Sequence, residues 1–445
     1  MIRLRNVLMI GWVLIANQVL AQKYSVQEAI DFAVSHQISV KNSELDVSSA
    51  DAKIKEILST GLPQINSNLM YNKNLIIQKA FVPANIFNPN AKEGEVAELA
   101  FGVKNLANAS VGLSQLLFDG SYLIGLKASS VYKELAVKNY KASKITVAEN
   151  VSKAYYVVLV SRKQLELMKF NLERLEKLYS DTKAMFEQGF VEKIDVQRIE
   201  VQLDNLKSET ENVSRSQALG EVLLKFQMGY PLDEQIVLTD NLEGVQSEFM
   251  EEISSPFDIN NRIEYSILKT QENLAELNIK NFKAGYLPRL SLNTNYGYNT
   301  GRINARDIFT EKWFNNAAIG VSLQIPIFDG FNKKYKIVQA NNDLKKVRQS
   351  FSLLESSIEL ERKQANVNLE NAVSNLRQQK GNLDLANEIF AVSQEKYQEG
   401  VGSNLEVLNA QASVKESQTN YFSALYNALI AKVSLEKANG TLYNE

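Results

Sequence analysis

The sequence predicts an α+β protein made of two copies of one unit, each combining a helix, two strands and a long helical hairpin. Three observations support this prediction. A set of short motifs recurs in the same order, four segments alternate apolar and polar residues, and long stretches contain no proline. With 445 residues, the chain is long enough for two or three ordinary domains.

The first 21 residues have the pattern of a secretory signal peptide. Arg3 and Arg5 form a basic start, an apolar segment follows, and Val19-Leu20-Ala21 fits a cleavage site for small residues. The apolar segment is shorter than the ~20 residues of a membrane-spanning helix, which argues against a membrane anchor. We therefore expect cleavage after Ala21 and export from the cytoplasm.

The composition argues against several classes of function. The 49 basic and 51 acidic residues nearly balance, whereas a nucleic-acid-binding protein would carry a basic surplus. There is no cysteine, and His36 is the only histidine, so thiol chemistry and most histidine-based sites are not available. No phosphate-binding loop, nucleophile elbow or zinc-protease motif is present. We expect no enzyme activity, no cofactor, no metal site and no nucleic-acid partner.

Internal repetition is the strongest signal in the sequence. Four markers recur in order: Leu62-Pro63 as Leu287-Pro288, Phe118-Asp119-Gly120 as Phe328-Asp329-Gly330, Phe186-Glu187-Gln188-Gly189 as Tyr397-Gln398-Glu399-Gly400, and Gly229 as Gly440. The last three are separated by 210 or 211 residues and the first by 225, so repeat 1 holds 15 extra residues before its Phe-Asp-Gly. We predict repeat 1 at 22–230, a linker at 231–257 and repeat 2 at 258–445.

Each repeat is expected to begin with a helix, Val26 to Leu58 in repeat 1 and about Asp258 to Gly285 in repeat 2. The Leu-Pro pair ends each helix, because proline disfavours helical backbone in the residue before it. Two alternating segments follow in each repeat. Their apolar positions are Ile65, Leu69, Tyr71, Ala109, Val111, Leu113, Leu290, Leu292, Tyr296, Tyr298, Ala317, Ile319, Val321 and Leu323.

The alternation predicts a sheet with two different faces. One face is apolar and suits lipid, while the other carries Asn, Ser, Gly and Gln and suits a water-filled lumen. A hairpin in a soluble α+β domain would show the same pattern. The long segment 73–101 between the first two strands is predicted to be an external loop.

Long helices are predicted after each Phe-Asp-Gly, over 121–188 and 331–399, followed by return helices that end at Gly229 and Gly440. Leu165, Met168, Leu172, Leu175, Tyr179 and Phe186 have the spacing of a coiled-coil seam. At 1.5 Å per residue the first long helix would span ~104 Å, which is too long for a compact domain. Four strands cannot close a membrane barrel, so a ring of copies is expected, with eight strands from two chains or twelve from three.

These features together resemble the TolC family of outer-membrane efflux proteins, across essentially the whole chain after the signal. The carriers are Ser25-Val26-Gln27-Glu28-Ala29-Ile30, Ala284-Gly285-Tyr286-Leu287-Pro288, Ile325-Pro326-Ile327-Phe328-Asp329-Gly330, and the segment from Tyr397 through Leu408. The resemblance implies a homotrimer with a 12-stranded barrel in outer-membrane lipid and a tunnel of antiparallel coiled-coil helices in the periplasm. It also implies a periplasmic adaptor and an inner-membrane transporter as partners.

In the family, the hairpin tips dock the adaptor and close the tunnel entrance. The corresponding tip residues here are Gly189, Phe190 and Val191 in the first hairpin and Gly400, Val401 and Gly402 in the second. The resemblance places a gate at Asp195, Tyr397, Glu406 and Asn409. Gly402 lies where some relatives carry an arginine tether, and Asn409 where they carry a second acid.

Two other interpretations remain open for this region. The tips have the sequence of plain helix–helix turns, and Ser403-Asn404-Leu405-Glu406 has that of a capping box, in which Glu406 would serve its own helix. For the whole protein, the alternative to an exit duct for efflux or secretion is a periplasmic coiled-coil scaffold or adaptor without a pore. That alternative accounts for the helices but leaves the four two-faced strands without a role.

Overall fold

The computed structural model describes residues 22–242, residue 249 and residues 257–443. The predicted signal peptide and part of the predicted linker lie outside the described residues. The chain divides into two compact units, the first comprising Met1–Ser43, Tyr140–Ile263 and Glu355–Glu445, the second Glu44–Asn139 and Glu264–Leu354. Each unit therefore takes residues from both predicted repeats.

The regular elements follow the predicted order. They are β1 (Gln22–Tyr24), α1 (Val26–His36), α2 (Ile38–Ser59), β2 (Gln64–Lys73), β3 (Lys79–Pro83), β4 (Val96–Ala100), β5 (Asn105–Phe118), α3 (Gly120–Glu187), α4 (Lys193–Met228), β6 (Ile236–Leu238), α5 (Ile263–Ala284), β7 (Arg289–Arg302), α6 (Asp307–Thr310), β8 (Phe314–Gln324), α7 (Asn332–Gln398) and α8 (Asn404–Asn439). No described helix has both the length and the apolar character needed to cross a membrane.

A four-stranded antiparallel sheet in the order β2-β5-β7-β8 is the main β-structure of the second unit. Its register places Val111 opposite both Ser67 and Tyr296, and Tyr296 opposite Ala317. Because directly opposed side chains share a face, the apolar positions of all four strands lie on one side of the sheet. The other side carries residues such as Asn66, Ser110, Asn295 and Ser322. The predicted alternation is confirmed.

The segment predicted as an external loop contains structure of its own. β3 and β4 pair as an antiparallel hairpin between β2 and β5, with Phe81 opposite Glu98. Lys79 and Glu98 form an exposed ion pair of 2.6 Å across this hairpin. The segment that makes repeat 1 longer than repeat 2 thus contains a two-stranded hairpin.

The prediction of one continuous helix from Val26 to Leu58 is wrong, because the helix is interrupted at Gln37. Gln37 has an extended backbone (φ −64°, ψ 130°) and separates α1 from α2. The turn after α4 packs there: a β-carbon on Gly229, which has φ +69°, would lie 3.2 Å from backbone atoms of Gln37. In repeat 2, Arg262 is extended in the same way and Gly440 packs beside Asn261. The helix predicted from Asp258 accordingly begins only at Ile263.

In the first unit, α3, α4, α7 and α8 pack around a shared core that includes Met168, Leu175, Ile199, Phe390 and Val414. Of the predicted coiled-coil seam, Met168 and Leu175 are buried, whereas Phe186 is exposed. Along this part of α3 the buried row is Met168, Asn171, Leu175, Leu178 and Thr182. The seam therefore includes two polar residues that an apolar pattern does not reveal.

Candidate functional site: the two helical hairpin tips

The first tip is a tight turn in which α3 ends in a Schellman motif. The Gly189 N–H donates to Phe186 O at 2.9 Å, and the Phe190 N–H donates to Met185 O at 2.9 Å. This geometry requires the left-handed backbone of Gly189 (φ +81°), which glycine adopts without steric cost. The residue after such a glycine often packs back on its helix. Phe190 does not do so and remains 74% exposed.

The second tip repeats this turn on α7. Gly400 (φ +75°) donates to Tyr397 O at 3.1 Å, and both Val401 and Gly402 donate to Lys396 O at 2.9 Å. Val401 is 79% exposed, as Phe190 is in the first tip. A β-carbon on Gly402 would lie 2.9 Å from the Lys396 β-carbon, so this close turn leaves no room for a side chain at position 402.

The two tips are joined by Asn404, a residue that sequence reasoning missed. Its Nδ2 donates to the backbone carbonyl of Asp195 at 2.9 Å, linking the start of α8 to the start of α4. Asn404 is buried, and its Oδ1 has no hydrogen-bond partner among the described residues. Its burial follows from a position on the helix seam, which the polar side chain itself does not signal.

Asp195 is committed to its own helix. Its carboxylate accepts the Glu192 N–H at 3.3 Å, and the Asp195 N–H donates to the Glu192 backbone carbonyl at 3.0 Å. The other carboxylate oxygen lies 3.8 Å from Arg198 Nη1. Both oxygens thus have partners in the first turns of α4 or in the residue that precedes it.

Tyr397 is also engaged within the chain. Only 7% of the side chain is exposed, and its hydroxyl lies 3.4 Å from Oγ1 of Thr182, which is fully buried on α3. This contact holds the end of α7 against the end of α3. Tyr397 therefore forms a contact between the second hairpin and the first.

Glu406 and Asn409 differ from the other predicted gate residues because both are exposed. The Ser403 Oγ accepts the Glu406 N–H at 3.3 Å, so the first half of the predicted capping box is present. The reciprocal hydrogen bond, from the Ser403 N–H to the Glu406 carboxylate, is not formed among the described residues. The prediction of a complete capping box is therefore wrong. The carboxylate is therefore free to project charge into solvent.

Behind the tips, a row of buried polar residues recurs every seven positions along α8. These residues are Asn404, Gln411 and Gln418. Gln418 Oε1 accepts from Asn171 Nδ2 at 2.7 Å, and Gln411 Oε1 accepts from Arg174 Nη2 at 3.3 Å. The Arg174 guanidinium stacks over the Phe390 ring at 3.9 Å, and burial lowers the pKa of this guanidinium. Such pairs specify the register of packed helices, because misaligned polar groups would remain unsatisfied.

Comparison with known proteins places this architecture among outer-membrane channels. The chain is 22% identical to the outer membrane protein TolC of Escherichia coli over 423 residues, covering 92% of this chain and 82% of that protein. It is 25% identical to TolC of Vibrio cholerae over 256 residues, covering 55% of this chain and 58% of that protein.

Solved structures share the fold at lower identity. The CmeC outer membrane channel of Campylobacter jejuni has a TM-score of 0.70 at 16% identity, covering 94% of this chain and 86% of that one. The outer membrane protein VceC of Vibrio cholerae has a TM-score of 0.67 at 14% identity, covering 93% and 96%. A sequence model of the outer membrane efflux protein family matches residues 29–229 and 268–441. The chain therefore belongs to the outer membrane efflux protein family and is a protein of the outer membrane.

Proposed function

We propose that this protein is a passive exit duct through which exported molecules cross the outer membrane. One observation carries the proposal: the four-stranded sheet has a continuous apolar face and a polar face opposite it. In the single chain Val111 and Ile319 on the apolar face are 50% and 77% exposed. An apolar surface of this extent is unfavourable in water, whereas alternating strands of this kind suit lipid outside and water inside.

The edges of the sheet support a ring of copies. Among the described strands, β2 pairs with β5 alone and β8 with β7 alone, so the sheet has two edges without a strand partner. Each backbone N–H or C=O group left without a hydrogen bond in lipid costs roughly several kcal/mol, so these edges need partner strands. We propose that β8 of one copy pairs with β2 of the next. Three copies, the number implied by the family, would give twelve strands.

The long helices would extend the duct into the periplasm. α3 and α7 contain 68 and 67 residues, which corresponds to a length of about 100 Å for each helix. Their far ends carry the two tips, where Phe190 and Val401 are exposed at turns of the same geometry. Exposed apolar side chains on a rigid turn suit a protein contact, and we propose that a periplasmic adaptor of an inner-membrane transporter docks there.

The gate charge is proposed to lie at Glu406. Its carboxylate is exposed and has no ion-pair partner among the described residues, while neighbouring Asn409 would add a neutral position one turn further along α8. Three such carboxylates around a narrow axis would attract cations and bind divalent ions. Asp195, which is held at the start of its own helix, and Tyr397, which contacts Thr182 of α3, would keep the tips in the shut arrangement until the adaptor engages them.

Planar-bilayer recording of the purified oligomer tests this function. We expect discrete conductance steps that are absent from empty bilayers and that increase when tip contacts such as Thr182–Tyr397 are removed by Tyr397→Phe. Thr419→Ala, which removes a hydroxyl from an exposed position on α8, is the matched control and should leave the resting conductance unchanged.

The scaffold alternative predicts a different outcome. A periplasmic scaffold would be released from membranes by high salt and would insert no conductance. Extraction by detergent alone, together with conductance, supports the duct. Release by salt without conductance would contradict it.

A further inference from the structure

The two Phe-Asp-Gly corners, where strand passes into helix, are equivalent in sequence but differ in structure. In repeat 1, α3 begins directly at Gly120. In repeat 2, Gly330 (φ +67°) and Phe331 (φ +65°) are both left-handed, and α7 begins only at Asn332. Phe331 is the one non-glycine residue with positive φ in the described part of the chain. A bulky residue in this conformation is strained, and such strain tends to persist where a function requires it.

The strained turn presents a group of apolar side chains to the exterior. Ile327 is 94% exposed, and Phe328, Phe331 and Tyr335 are also exposed. The rings of Phe328 and Phe331 meet edge to face with centroids 5.3 Å apart. This group directly follows the end of β8, where Leu323 is the last residue on the apolar face of the sheet.

Basic side chains stand beside these rings. The Lys334 Nζ lies 5.5 Å from the Phe331 ring centroid and 5.8 Å from that of Tyr335. Lys333 Nζ lies 3.0 Å from the Asp329 carboxylate, and the hydrogen bond from Lys333 lowers the pKa of this carboxyl. The charges of Lys333 and Asp329 therefore compensate each other. Lys334 and Lys336 have no acidic partner among the described residues.

Lys336 also lines a cavity of about 380 Å³ at this corner, together with Asn281, Gly285 and Lys333. The corresponding positions of repeat 1, 210 residues earlier, hold Leu123, Ile124 and Leu126 in place of the three lysines. At these three positions the repeat 2 corner is therefore basic and the repeat 1 corner apolar.

We propose that this corner binds the phosphate of an anionic phospholipid in the periplasmic leaflet of the outer membrane. The proposal rests on the proposed function, which places the boundary between strands and helices at that leaflet. Lys334 and Lys336 would contact the phosphate, while Ile327, Phe328 and Phe331 would lie among the acyl chains, close to the headgroups. Aromatic residues favour the membrane–water interface, and lysines near it attract anionic headgroups.

Lipid retention by the purified oligomer tests the proposal. The oligomer is stripped of lipid in detergent, phosphatidylglycerol is added, and bound lipid is counted by native mass spectrometry. Replacing both lysines (Lys334→Ala with Lys336→Ala) should weaken phosphatidylglycerol binding roughly 10- to 30-fold. The matched control, Lys345→Ala with Lys346→Ala, removes the same charge from exposed positions further along α7 and should bind as the wild type does.

Two further arms identify the ligand. Zwitterionic phosphatidylcholine should bind wild type and double variant equally weakly, and inorganic phosphate should not displace phosphatidylglycerol. Unchanged phosphatidylglycerol binding by the Lys334/Lys336 variant would overturn the proposal, as would displacement by inorganic phosphate. Failure of the duct itself would appear separately, as loss of the oligomer or of conductance in wild-type protein before any lipid is added.

Discussion

Replacing Val111 by lysine tests the membrane-facing side of the sheet. Val111 lies on β5, which runs from Asn105 to Phe118, and is roughly 20 Å along the strand from either end. With a strand tilt of about 40°, this position lies well inside an apolar band about 25 Å tall. A lysine near the midplane costs about 2–4 kcal/mol, so three copies in one ring would lose about 6–12 kcal/mol. We expect assembly to fail.

The adjacent Ser110 provides the matched control, because its side chain lies on the opposite, polar face. It stands over Gly297, which has no side chain to obstruct a longer residue there. Outer membranes from cells producing Val111→Lys or Ser110→Lys are compared on unheated gels, with heated samples measuring total protein. The oligomer should fall at least tenfold in the first variant and stay near the wild-type amount in the second. Normal assembly of Val111→Lys, or equal failure of both variants, would refute the assignment of the two faces.

Three other perturbations test the tips and the topology. Gly189→Ala forces a β-carbon into left-handed backbone and should lower the free energy of unfolding by about 1–2 kcal/mol. Gly381→Ala, inside α7, should raise the free energy of unfolding by about 0.5–1 kcal/mol. Thermal unfolding in detergent measures both changes. An epitope inserted at Asn90 should be labelled on intact cells, and labelling only after lysis would invert the topology. Glu406→Gln should reduce cation preference and divalent block in bilayer recordings. Ser403→Ala removes only the helix cap and should preserve both properties. Unchanged selectivity in Glu406→Gln would show that Glu406 has no gating role.

The strands and turns were predictable from sequence because their determinants are local. Period-two alternation set which side chains share a face, and the observed register brings Ile65, Leu113, Thr294 and Ile319 into one row across four strands. Gly189, Gly229, Gly400 and Gly440 all adopt left-handed backbone at helix ends, as their recurrence at matched positions indicated.

The remaining features depend on contacts between distant segments. Nothing near Gln37 marks a helix break, which arises where the turn at Gly229 packs against it. Asn171, Arg174 and Asn404 are polar residues on buried seams, so a search for apolar periodicity passes over them. The Asp195 and Tyr397 side chains were predicted as gate residues from the family resemblance, but their partners within the chain, Glu192 and Thr182, appear only in the folded structure.

The most direct test of the closed duct is cross-linking between β2 and β8 of neighbouring copies. The sequence contains no cysteine, so engineered pairs form disulfides without background. Leu69→Cys on β2 is combined in turn with Ala317→Cys, Ile319→Cys or Val321→Cys on β8, all on the apolar face, and outer membranes are oxidised before denaturing electrophoresis. We expect at least one pair to join separate chains, with a largest covalent product of three chains. Cross-links confined to single chains, or a ladder extending beyond three, would contradict a closed ring of three copies.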